Sequence, residues 1–92
     1  VVFVAEQKAL DFSPISGLLE QITNDRTVPK NIRAAAEQSK AIIDGNTSDE
    51  LKVSAAVSTL DEIINDPNMP MYTRTQIWNI VSMLEQLRRE LE

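Results

Sequence analysis

The sequence predicts an all-α fold: an up-and-down four-helix bundle made of two helical hairpins, in a single domain of residues 1–92. Three features carry that expectation. Apolar residues recur at the 3.6-residue period of an amphipathic helix in three long segments, and no segment alternates apolar and polar residues long enough to read as a strand. Two glycines and four prolines leave little material for the tight turns of a sheet. Residues 19 to 44 also match the pattern of residues 60 to 85 at a constant offset of 41.

Residues 1–12 form an N-terminal segment of ambiguous structure, in which FVAEQKAL is a candidate for an extra helical segment broken near Pro14, since an interior proline deletes a hydrogen bond and clashes with the preceding turn. Ser13-Pro14 then reads as a helix entry, serine as N-cap and proline at the first helical position, leading into SGLLEQITN. The second helix covers residues 29 to 44, with Ile32, Ala35, Ala36, Ser39, Ile42 and Ile43 on one face. Gly45 supplies its stop, as a residue tolerant of the left-handed conformation. Thr47-Ser48-Asp49-Glu50 has capping-box spacing, with Thr47 as the cap, and opens a third helix to about Asn65. Val53, Ala56, Val57, Leu60, Ile63 and Ile64 form its apolar stripe. The fourth helix runs from about Pro70 to Leu91, with Ile77, Ile80, Val81, Leu84, Leu87 and Leu91 on one face.

The offset of 41 lays LEQITNDRTVPKNIR over LDEIINDPNMPMYTR. Leu19 meets Leu60, Ile22 meets Ile63, Asn24-Asp25 meets Asn65-Asp66, Pro29 meets Pro70 and Arg33 meets Arg74. One helix-turn-helix unit is used twice. The prolines hold Val28 and Met69 out of the helical region and mark the next helix start. Each aspartate lies near exposed first-turn amides, and the arginine a turn later is placed to reach back to it. Ion pairs Asp25–Arg33 and Asp66–Arg74 are therefore expected, contributing about 0 to 1 kcal/mol if exposed and more if half-buried. The aromatics of NDPNMPMYTRTQIW are left over, because residues 24 to 33 make the same turn without a ring. Trp78, beside the stripe, is expected to close the edge of the core, where truncation costs about 3 to 5 kcal/mol. Tyr72 is expected to be exposed. Tyr72, Arg74 and Trp78 are the candidate binding residues, being of the types enriched at interface hot spots.

The segments VPKNIR and LDEIINDPNMPMYTRTQIW resemble the hallmark segments of a small uncharacterised archaeal protein family of unknown function. The resemblance covers roughly residues 19 to 87 and leaves residues 1–12 outside. It implies a compact helical bundle in the cytoplasm and carries no activity, substrate or ligand. The repeat is also similar to HEAT-type helix pairs, which is the alternative architecture; two units are too few for a solenoid, and two hairpins closing on each other bury both stripes more completely.

Composition narrows the function further. With no cysteine and no histidine, disulfides, thiolate chemistry, Cys- or His-based zinc sites and imidazole-dependent nucleophiles are absent. A carboxylate cluster of Asp61, Glu62 and Asp66 lacks the histidines of a di-iron bundle, so neither metal nor cofactor is expected. The net charge of −5 opposes a nucleic-acid backbone. Asn46-Thr47-Ser48 matches a glycosylation sequon but reads as a turn and cap. The longest apolar run, VVFVA, is far short of the roughly 20 residues that span a bilayer or of a signal-peptide core, so no membrane association and a cytoplasmic location are expected. The fourth helix should overhang the others, and Ile77, Ile80, Leu84, Leu87 and Leu91 follow coiled-coil spacing, which suggests a homo-oligomer through the C-terminal helix. The sequence thus points to a non-catalytic protein-protein interaction or assembly module. The alternatives are a nucleic-acid-associated accessory protein and a small enzyme without His or Cys chemistry.

Overall fold

A computed structural model describes residues 10–91 and places four helices there: α1 (Ser13–Thr23), α2 (Lys30–Ile43), α3 (Asp49–Ile63) and α4 (Met71–Leu91). Of the candidate segment FVAEQKAL, only Leu10 falls within the described residues. Short connections make successive helices antiparallel. α1 packs on α2 and α4, and α3 packs on the same two, while no Cα of α1 comes within 8 Å of α3, nor of α2 within 8 Å of α4. The helices therefore close into a square ring, the up-and-down four-helix bundle. The HEAT-like alternative fails on the α1–α4 contact, which joins the first helix to the last.

Each helix contributes its stripe to one core. Ile15, Leu19 and Ile22 enter from α1, Ile32, Ala36 and Ile43 from α2, Val53, Ala56 and Leu60 from α3, and Ile77, Ile80 and Leu84 from α4. Ile42, Ile63, Ile64, Val81 and Leu87, expected on the stripes, are only partly buried and pack along the core's margin. Val28 and Met69, from the two hairpin turns, close one end.

Three helix ends differ from expectation. At α1 the cap residue is Phe12 rather than Ser13; the Ser13 amide, left without an intrahelical partner, donates to Asp11 Oδ1 at 3.0 Å. At α3 the cap is Ser48 rather than Thr47, its Oγ accepting from the Leu51 amide at 3.3 Å, so Glu50 is not the reciprocal partner of a capping box. Gly45 does not adopt a left-handed backbone. Its role is one of space: a Cβ there would sit 3.3 Å from the Ile42 carbonyl oxygen and 3.4 Å from that of Ala41.

The internal repeat extends to individual hydrogen bonds. In the first turn the Asp25 amide donates to the Ile22 carbonyl (3.1 Å), Val28 to Asp25 (3.1 Å) and Arg33 to Pro29 (3.0 Å). In the second, Asp66 donates to Ile63 (3.0 Å), Met69 to Asp66 (3.1 Å) and Arg74 to Pro70 (3.0 Å), each pair displaced by 41. The Thr27 amide donates to Asp25 Oδ1 at 3.0 Å, and the Asn68 amide to Asp66 Oδ1 at 2.8 Å. These carboxylates tie the turn to itself, two residues ahead. The expected ion pairs are absent, because the arginines bond backbone instead: Arg33 Nε donates to the Val28 carbonyl at 3.0 Å and Arg74 Nη2 to the Asp66 carbonyl at 2.9 Å. The Asp66 carbonyl thus accepts from both the Met69 amide and Arg74, and the Val28 carbonyl, just ahead of α2, accepts from Arg33.

Two hydroxyls, Ser39 Oγ and Thr73 Oγ1, are buried in the core without a hydrogen-bond partner. An unsatisfied buried polar group costs about 1 to 3 kcal/mol, and replacement by an apolar group of the same shape removes that cost. Thr73→Val is therefore expected to raise the thermal midpoint by several degrees, whereas Leu60→Ala at the bundle centre should lose about 2 to 5 kcal/mol. Calorimetric melting of both variants checks this, and a Thr73→Val protein less stable than wild type contradicts it.

Candidate interaction surface on the fourth helix

The core side of α4 is defined by Thr73, Ile77, Ile80 and Leu84. At about 100° per residue, Met71, Thr75, Trp78 and Ser82 fall within about 60° of one another on the opposite side. All four are exposed, Met71 at 74% and Trp78 at 56%. Trp78 therefore does not close the core edge as expected. It stands about 130° from the core direction, an angle already implied by Ile77, Ile80 and Leu84 in the sequence; adjacency to Ile77 in the chain was the wrong guide. Met71, which the sequence reading did not single out, is the missed member, and its seven-residue spacing from Trp78 was the available signal.

The three candidate residues are not brought together as one cluster. Tyr72, 65% exposed, lies to one side, where its hydroxyl accepts from Gln76 Nε2 at 3.4 Å. Arg74 lies about 160° around the helix from Tyr72 and about 40° from Trp78. It is half-buried, held by its bond to the Asp66 carbonyl. Met71 and Trp78 thus form the exposed apolar surface of the outer side, with Arg74 at its flank and Tyr72 about 120° around the helix from Trp78. The coiled-coil seam faces inward instead: Ile77, Ile80 and Leu84 are fully buried in the bundle, which leaves Leu87 half-buried and Leu91 41% exposed.

At the base of this helix sits Asp66. Its Oδ2 accepts from Asn31 Nδ2 at 2.8 Å, a link between the second turn and the start of α2. The Asn68 amide holds the Asp66 carboxyl below the usual carboxylate range, assisted by Asn31 and by the nearby charge of Arg74. Asp25 is lowered as well, by the Thr27 hydroxyl first and the Thr27 amide second. Among the described residues no three of His, Cys, Asp and Glu come together as a metal site.

A second feature, invisible in the sequence, is an open groove of about 540 Å³ between the end of α2 and the start of α3, lined by Ala41, Ile42, Gly45, Leu51 and Ala55 among others. Leu51 stands beside it, 60% exposed. No ionisable side chain lines it. Among the described residues no helix is long and apolar enough to cross a membrane.

The closed ring of two matching hairpins, with an Asn-Asp turn leading through proline into the second helix of each, defines a small, internally duplicated helical-bundle protein. The chain belongs to an uncharacterised protein family, UPF0147, whose model matches residues 3–87. The match begins well before residue 19, so residues 3–12 lie inside the family's span and not outside it as the hallmark segments suggested. The UPF0147 protein MJ1419 of Methanocaldococcus jannaschii is 53% identical over 72 residues, 77% of each chain. A UPF0147 protein of Methanothermobacter thermautotrophicus is 45% identical over 78 residues, 84% of this chain and 76% of its own. Relatives of the chain come from archaea. The fold matches the crystal structure of the unknown function protein MMP1188, with a TM-score of 0.79, 46% identity and coverage of 85% of this chain and 94% of that one. A crystal structure of a UPF0147 protein from Thermoplasma acidophilum matches equally well, with a TM-score of 0.79, 43% identity and coverage of 83% and 91%.

Because Trp78 is the sole tryptophan and is exposed, Trp78→Ala is expected to change stability by no more than about 0.5 kcal/mol, the usual range for surface positions. Its fluorescence should be readily quenched by acrylamide in the folded protein; strong protection, or a loss of several kcal/mol, contradicts this placement. The turn aspartates set a pH dependence. A carboxyl whose folded pKa is depressed stabilises the fold fully above its unfolded value, about 3.9, and that contribution is lost as pH falls through the folded value. The urea midpoint should therefore drop as pH is lowered below about 4. Asp25→Asn/Asp66→Asn, which keeps one acceptor oxygen in each turn, replaces the other with an amide and cannot titrate, should show a shallower drop; equal slopes contradict the assignment.

Proposed function

We propose that this protein is a non-catalytic, cytoplasmic interaction module that docks a protein partner on the outer face of the first half of α4. The observation that supports this reading is an internal comparison. Met71, Tyr72 and Trp78 correspond, at the offset of 41, to Lys30, Asn31 and Glu37 on α2, which are exposed and polar. The fold is thus satisfied by polar residues at these positions, and three large apolar side chains on α4 have no structural need to be there. Aromatic residues and methionine on an exposed surface are the composition of interface cores, and scattered single apolar residues are not. The surface also carries no acid: Pro67–Leu84 is the longest stretch without Asp or Glu in a chain that has 14 of them. This removes like-charge repulsion from one face of an acidic protein.

Affinity capture from archaeal lysate tests the reading with three baits: wild type, Trp78→Glu and Leu51→Glu. Leu51 is comparably exposed but lies at the α2–α3 groove, so its variant controls for a general change in surface hydrophobicity. A partner retained by wild type and Leu51→Glu and lost from Trp78→Glu is expected. Retention by all three contradicts the reading.

A further inference from the structure

We propose that the outer face of α4 docks a second copy of this chain, the two α4 helices lying antiparallel about a two-fold axis between Gln76 and Ile77. The inference rests on the reading that this face binds protein, and adds the occupant and the register. Along the face, large and small side chains alternate: Met71, Thr75, Trp78, Ser82. Reversing the helix about the point between residues 76 and 77 exchanges Met71 with Ser82 and Thr75 with Trp78. Each large side chain of one copy then meets a small one of the other, and the pattern is complementary to itself, as a two-fold interface requires.

Two further observations suit burial. The Thr75 hydroxyl already donates to the Met71 carbonyl at 3.1 Å, so covering it leaves no unsatisfied donor and presents its methyl group. The facing stretches of both copies lie within Pro67–Leu84, the acid-free run of a chain whose net charge of −5 otherwise opposes self-association. Arg74 stays at the flank, its Nη2 bonded to the Asp66 carbonyl. The overlap of residues 71–82 is about 18 Å long, short of what a permanent dimer buries, so the association is weak and concentration-dependent.

Because the chain has no cysteine, single-cysteine variants test the register directly. In the proposed pairing residue 71 faces residue 82 of the other copy, while two residues 71, or two residues 82, lie about 16 Å apart along the helices. Mixing Met71→Cys with Ser82→Cys under mild oxidation is expected to give a covalent dimer, and each variant alone to give little. Both positions are exposed, and circular dichroism checks that each variant folds. No cross-link in the mixture, or equal cross-linking by either variant alone, overturns the pairing, as does sedimentation of the wild type as a monomer up to millimolar concentration. A partner lost from Trp78→Glu in the lysate capture would survive any of those outcomes, so failure of self-docking is separable from failure of the docking face.

Discussion

Neither hairpin of this bundle can hide its own apolar stripe. Each pairs two helices whose buried positions line one side, and two antiparallel helices alone leave that side in water. α1 has only 11 residues, a length at which isolated helices are marginal. Its order comes from Ile15, Leu19 and Ile22, which are removed from water only when the second hairpin covers them. Closure of α4 on α1 is the step that makes the core continuous, and full burial of each such side chain contributes about 1.5 to 3 kcal/mol. The duplicated architecture follows: two copies of a one-faced unit satisfy each other as a ring, whereas an open stack of two would leave a terminal stripe uncovered.

The turns translate that requirement into geometry. Pro29 has ψ at 151°, an extended conformation from which α2 starts, and its carbonyl takes the first helical hydrogen bond from Arg33. The aspartate four residues earlier folds its carboxylate onto the amide two positions ahead, and the arginine four residues later clamps a carbonyl of the same turn. Asp and Arg therefore work on the backbone, not on each other. Spacing alone could not separate these outcomes, since a turn carbonyl and a turn carboxylate lie at similar reach from an arginine one turn into the helix.

The stripes and the repeat were legible in the chain because burial enforces a period and the turn enforces proline. Val53, Ala56, Val57 and Leu60 are buried as the pattern indicates. Errors arose where one residue decides. Phe12 and Ser48, not Ser13 and Thr47, occupy the caps, because adjacent residues compete for the same unsatisfied amides and tertiary contacts choose between them. Trp78 is next to Ile77 along the chain but about 130° from the core direction around the helix, and Tyr72 and Arg74, two residues apart, point to different flanks. The α2–α3 groove had no signature at all, since it depends on how two helix ends meet.

The duplication also acts as an internal control on which residues the fold needs. Burial repeats at Val28 and Met69, Ile32 and Thr73, Ala36 and Ile77, Ser39 and Ile80, and Ile43 and Leu84, although every one of these pairs differs in identity. At these five pairs burial is shared while side-chain identity is not, whereas Ile22 and Ile63 share identity and differ in burial. Exposed positions face no such requirement, and most are polar in both halves. Departures from that rule call for a separate cause. Leu10 and Leu51 are the same residue at equivalent positions, yet Leu10 packs on the core and Leu51 stands in solvent beside the groove, so their difference is one of surroundings. Met71, Tyr72 and Trp78 are the reverse case: they are exposed like Lys30, Asn31 and Glu37, and the chemistry has changed toward side chains that water solvates poorly. The change falls on the first two turns of α4, with Met71 and Trp78 on its outer side and Tyr72 about 100° around the helix from Met71, and burial in the core accounts for none of the three.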